Sequence, residues 1–157
     1  MPSSITSASP AEAKDRHIRM AALGLLLIAL KFGLDATAHF VSPQTAELLD
    51  YGTIAASIGA VLLILPLVFY KVFRLDPRDR AVYFSDQSFA MDALKRAQVF
   101  SWSVTFLLLV FLEILVDEPG ALAPEFYLQV ALTVMLGSAA VAFLVLSRDP
   151  GEEGLDA

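Results

Sequence analysis

Cysteine is absent from this 157-residue chain, histidine occurs twice and tryptophan once. The missing thiols exclude disulfides, thiolate metal sites and cysteine nucleophiles, and leave the redox compartment open. Two histidines without a thiol make a poor transition-metal set. His17 and His39 also stand at opposite ends of the first apolar stretch, which speaks against a haem pair. Charge is scarce too: 18% of residues are charged, against about 25% in soluble domains. There is no G-x-S-x-G, no H-E-x-x-H and no phosphate-cradling glycine loop. Ser101, Ser103 and Thr105 have no base near them in sequence, and their hydroxyls are expected to bond to their own helix. These absences point to a non-enzyme without a cofactor. The net charge of −6 lacks the basic face that nucleic acid requires.

Long apolar runs are what the chain has instead. It is 57% hydrophobic, with a mean hydropathy of +0.65. A helix needs about 20 apolar residues to cross a bilayer, and four such stretches fit here. The expected fold is all-α: a polytopic membrane protein of four transmembrane helices in an up-down-up-down bundle. Residues 1–19 read as a flexible tail and basic collar. Residues 20–147 form the membrane domain, with spans near 20–40, 43–73, 99–116 and 125–146. Residues 148–157 read as an acidic tail.

Ser42-Pro43 predicts a helix start, and Pro124-Glu125 another, because proline suits the first helical position. Pro66 is expected to kink the second span by removing a helical hydrogen bond. Asp117-Glu118-Pro119-Gly120 ends the third span. The connector Arg74 to Gln98 is predicted to hold a helix, capped by Ser85 or Asp86, that runs into that span. A second reading of the start is a cleavable signal peptide. Ala21 to Leu30 would be its apolar region, and Ala36-Thr37-Ala38 its cleavage site. Lys31 and Asp35 interrupt that pattern, and apolar character resumes after each.

Cation placement predicts orientation. Lys14, Arg16, Arg19, Lys71, Arg74, Arg78, Arg80, Lys95, Arg96 and Arg148 fall on one side of the spans, while the loops Phe40 to Asp50 and Asp117 to Glu125 contain no Lys or Arg. By the positive-inside rule both termini are cytoplasmic, in a bacterial inner membrane. Tyr51, Phe126 and Tyr127 then mark the outer boundary, and Tyr70 and Trp102 the inner one.

The residues most able to carry chemistry lie in the first and third spans. Lys31, Asp35 and His39 are four residues apart and share an arc of about 80°. Gly24, Ile28 and Ala38 lie on the same stripe. Counted from their basic collars, Asp35 and Glu113 both sit about 25 Å along their helices. An intramembrane cluster of Lys31, Asp35 and Glu113 is therefore expected, with His39 and Asp117 at its mouth. Charges at such depth should face inward and pair, and they are functional candidates by default. The plainer reading stands beside it: Lys31 and Asp35 neutralise one another at i, i+4, Glu113 leans into water and His39 is interfacial.

Small residues four apart, Gly52, Ala56 and Ala60 on span two and Ser138 and Ala142 on span four, suit close helix packing, either within the bundle or between chains. Asp76-Pro77-Arg78-Asp79-Arg80, placed after two spans and before a helix with small residues, resembles an acidic D-E-R motif. It is the mark of uncharacterised prokaryotic four-span proteins, and here Pro77 and Asp79 displace the glutamate. The resemblance implies no activity. The expected function is a non-catalytic accessory, assembly or self-associating subunit of a membrane complex. Its partners would be the lipid bilayer and another protein or a second copy, with no nucleic acid. Proton or ion translocation through the Lys/Asp/Glu cluster is the alternative. Signalling through the connector is a third possibility, although its mixed charge suits a solvated face.

Overall fold

The structure is a computed structural model, and it describes residues 10–73, 89–115 and 123–147. They form four helices: α1 (Pro10–Ala38), α2 (Pro43–Phe73), α3 (Phe89–Leu115) and α4 (Pro124–Leu146). All four are long and apolar enough to cross a membrane. The chain is an all-α, four-span integral membrane protein.

The helix starts follow their local chemistry. Pro43 opens α2, and Ser42 stands before it as the cap: its carbonyl accepts from Ala46 N–H, and its hydroxyl lies 3.0 Å from that of Thr45. Pro124 opens α4 behind an extended Ala123 (φ −60°, ψ 141°), with Phe126 N–H donating to the Ala123 carbonyl. One boundary differs from expectation. The first helix already begins at Pro10, so Pro10 to Ala13 joins the basic collar from Lys14 to Arg19 in α1 rather than a flexible tail. Ala11, Glu12, Ala13 and Lys14 are good helix formers, and propagation adds one hydrogen bond per residue once a helix is nucleated. As expected for the connector, its helix runs unbroken into the third span, from Phe89 to Leu115. The expected caps Ser85 and Asp86, the D-E-R-like turn and the loop around Asp117 lie outside the described residues, as do the two tails at 1–9 and 148–157.

α1 and α4 form the central pair. α2 packs on α1 and α3 on α4, and among the described residues α2 and α3 share no packed face. Every packed pair is antiparallel. From one end of α1 to the other, Arg19 meets Ser147, Gly137 approaches Ala29, Gly33 approaches Thr133, and His39 meets Gln129. α2 runs the same way against α1: Gly24 lies against Ile64, Gly59 against Leu27 and Gly52 against Leu34. The start of α1, the start of α3 and the end of α4 therefore share one end of the bundle. Lys14, Arg16, Arg19, Lys95 and Arg96 are all found there.

Between membrane helices lipid is as apolar as leucine, so close fit and hydrogen bonds hold the pairs together. The core reflects this, because it is made largely of alanine. Ala22, Ala29 and Ala36, spaced by seven, are buried on α1. With Gly33 they occupy about a 60° arc, the face turned to α4. At the basic end Phe143 is fully enclosed among Ala22, Ala93 and Ala97, and there α1, α3 and α4 converge. Ser101 is buried and donates to the Met135 carbonyl of α4 at 2.5 Å. Ser103 and Thr105 donate to Val99 and Ser101 within their own helix, as expected. Ser101 departs from that expectation because it faces α4. Large side chains point outward instead, among them Ile58, Leu62, Trp102, Phe106 and Ile114, each more than half exposed. Only 11–22% of each apolar stretch is fully buried inside the chain, and much of the remainder is exposed.

The close approaches can be tested. A Cβ on Gly24 would stand 2.7 Å from Ile64 Cγ1, whereas one on Gly137 would meet Ala29 at an ordinary 3.5 Å. Gly24→Leu should lower stability by about 1–3 kcal/mol, the usual range for overpacking. Gly137→Ala should change it little. Thermal unfolding in mild detergent, followed by circular dichroism, measures both, and equal effects would refute the packing described.

Candidate functional site: a charged pair between the first two helices

Lys31 and Asp35 lie on the face of α1 that meets α2, on the stripe that includes Gly24 and Ile28. One helical turn separates them, and Lys31 Nζ donates to Asp35 Oδ2 at 2.5 Å. The other carboxylate oxygen is also occupied: Thr53 Oγ1, on α2, donates to Asp35 Oδ1 at 3.1 Å. Lys31 Nζ further lies 4.5 Å from the centroid of the Phe32 ring. The pair is only part-buried by protein, with 31% of the Lys31 side chain and 21% of the Asp35 side chain exposed. Chemically the arrangement is a closed one. Both oxygens of the acid have donors, and the cation has a carboxylate and a ring face.

Thr53 was not legible as a member of this group, although its position carried a signal. It follows Gly52, the first of the small residues facing α1, so it lies at the edge of the same interface. One turn further, Ser57 Oγ donates to the Thr53 carbonyl at 2.8 Å and stays within its helix.

The other expected members are elsewhere. Helix α1 ends at Ala38, and His39 turns away from Lys31 and Asp35 toward α4. Its Nε2 lies 3.2 Å from Gln129 Oε1, and its ring meets Phe126 edge-on at 6.2 Å. Phe40 packs on the same Phe126 ring at 5.1 Å, so an aromatic and amide group closes this end of the α1–α4 pair. Glu113 does not join Lys31 and Asp35. It is exposed near the end of α3, two residues before Leu115, and among the described residues it has no ion pair. The reason is the order of the helices: α4 lies between α1 and α3, so equal depth in the first and third spans does not bring their side chains together. Asp117 lies outside the described residues. Among the described residues no three His, Asp or Glu side chains are grouped as a metal site would need.

The small residues have assigned neighbours. Gly52, Ala56 and Ala60 face α1: Ala56 and Ala60 are buried, and a Cβ on Gly52 would stand 3.0 Å from Leu34 Cδ1. Ala142 packs against the core around Phe143. Ser138 donates to the Val134 carbonyl of its own helix at 2.6 Å and lines a groove beside α3. Arg19, read from the sequence only as part of a basic collar, donates to the Ser147 carbonyl at 2.7 Å and so satisfies the C-terminal turn of α4.

Comparison with protein-family models, with curated proteins and with solved structures returned no match.

The pair can be tested by removing one half of it. An unpaired charge at this depth is disfavoured by about 2.5–3.5 kcal/mol on insertion scales. Asp35→Leu should therefore destabilise the protein by roughly 2–3 kcal/mol. Lys31→Leu combined with Asp35→Leu should recover most of the loss. Glu113→Gln should stay within about 0.5 kcal/mol, as at a surface position. Unfolding curves in mixed micelles give all three. A Glu113→Gln loss as large as that of Asp35→Leu would contradict the separation of α1 from α3.

Proposed function

We propose that this integral membrane protein is a non-catalytic subunit that works by association, either with another membrane protein or with a second copy of itself. The observation that carries the reading is Glu113. Charged groups in membrane spans normally face the bundle interior and pair. Lys31 and Asp35 do so, but Glu113 is turned outward beside the exposed Val110 and Ile114, with no counter-charge among the described residues. A counter-charge from a partner would complete it, as it would any outward-facing intramembrane carboxylate. The one-sided packing of α2 and α3 supports the same reading, since each leaves a broad apolar face uncovered by this protein.

In this proposal the protein sits in a bacterial inner membrane with both termini cytoplasmic. The gathering of Lys14, Arg16, Arg19, Lys95 and Arg96 at one end of the bundle supports that orientation. The resemblance to prokaryotic four-span proteins is compatible with it and adds no activity. The Lys31–Asp35–Thr53 group is a lock between α1 and α2. Proton or ion translocation would draw on the same charges, but Glu113 is set apart from them by α4, and Asp35 has both oxygens occupied.

Purification in mild detergent followed by native mass measurement tests the reading. A dimer or a copurifying protein is expected, weakened by Glu113→Gln. A strict monomer with nothing bound would overturn it. So would proton flux into liposomes carrying a pH-sensitive dye, if Asp35→Asn abolished that flux.

A further inference from the structure

A groove of about 700 Å³ runs along the outer side of the α3–α4 pair at the basic end. Its floor is made of small residues, Gly137, Ser138 and Ala142, and its walls of Phe100, Val141 and Val145. From Gly137 to Leu146 it spans nine residues of α4, or about 14 Å. It begins near the middle of the span and ends where α4 ends. Among the described residues, the single charged one lining it is Arg96, at the basic end of the bundle. Arg96 is exposed, and among the described residues it makes no ion pair or hydrogen bond. The charged neighbours on its own helix are Asp92 and Lys95. A slot parallel to the helices, apolar in depth and cationic at the level where the helices leave the membrane, matches an acyl chain joined to an anionic headgroup.

We propose that this groove is a binding site for one anionic phospholipid of the surrounding bilayer. An acyl chain lies along Val141 and Val145 over the small-residue floor, and the phosphate is held by the Arg96 guanidinium. Arginine suits the task because its planar fork presents paired donors to phosphate oxygens. The small residues matter because only they leave room for a chain between helices that pack this closely. The site lies on α3 and α4, away from Lys31 and Asp35, and its occupancy does not depend on the association proposed above.

The test uses the full-length protein in mild detergent, titrated with phosphatidylglycerol, phosphatidylcholine of the same chains, or inorganic phosphate, with adducts resolved by native mass measurement. One phosphatidylglycerol per chain is expected, preferred over phosphatidylcholine. Inorganic phosphate should neither bind nor compete. Arg96→Gln should weaken phosphatidylglycerol about fivefold and erase the headgroup preference, in line with one basic residue near an anionic surface. Arg96→Lys should retain part of the preference. Val141→Trp fills the slot from an exposed position and should weaken both lipids, with helix content unchanged by circular dichroism. Several results would overturn the proposal: equal binding of the two lipids by the native protein, undiminished binding by both Arg96→Gln and Val141→Trp, phosphate binding alone, or a second copy of the chain occupying the groove in place of lipid.

Discussion

The whole bundle depends on α1 being slender on two sides at once. One side carries Ala22, Ala29, Gly33 and Ala36 toward α4; the other carries Gly24 toward α2. In water an amphipathic helix would bury a stripe of large residues. In lipid that stripe gains nothing from burial, because the tails outside are equally apolar, so surfaces that let backbones approach win. Large side chains are displaced to the periphery, and among the described residues the one large side chain wholly enclosed is Phe143, at the point where α1, α3 and α4 meet. A bulky residue in the middle of either α1 face would separate a neighbouring helix along much of its length.

The charged pair is compatible with this arrangement only because it is self-contained. Lys31 and Asp35 occupy the α2-facing stripe of α1, and Thr53 brings α2 into the same hydrogen-bond set. Hydrogen bonds between membrane helices contribute about 0.6 kcal/mol on average, so Thr53 adds less to affinity than to register. It pins α2 against α1 at one height, and the close contacts at Gly52, Gly59 and Gly24 continue in the same alignment.

The four helices were legible from apolar length and from the proline starts, because bilayer thickness and the missing N–H of proline act locally. The Lys31–Asp35 contact was legible for a similar reason, since four residues on one helix need no tertiary information. Glu113 stands apart from Lys31 and Asp35 because equal depth in two spans does not imply contact. Depth comes from counting residues, whereas lateral order comes from which faces are narrow. The spacing of Ala22, Ala29 and Ala36 by seven is the sequence signal for that order. Arg19 is a parallel case. A collar arginine reads as an orientation signal, yet the structure also uses it on the carbonyl of Ser147. Ser101 likewise needed the identity of the facing helix before its acceptor, the Met135 carbonyl, could be named.

Lys31, Asp35 and Glu113 follow one trend: the farther the group lies from its helix end, the more completely the chain itself partners it. Lys31 is seven residues from the end of α1, and it has a carboxylate and an aromatic face. Asp35, three residues from that end, still has both oxygens filled. Glu113 is two residues from the end of α3 and has neither donor nor cation among the described residues. Arg96 breaks the pattern. It lies seven residues inside α3 but where the bundle leaves the membrane, and among the described residues it makes no ion pair and borders an apolar groove. Its side chain stays exposed at that boundary, and the groove beside it provides a place for an anion joined to an apolar chain.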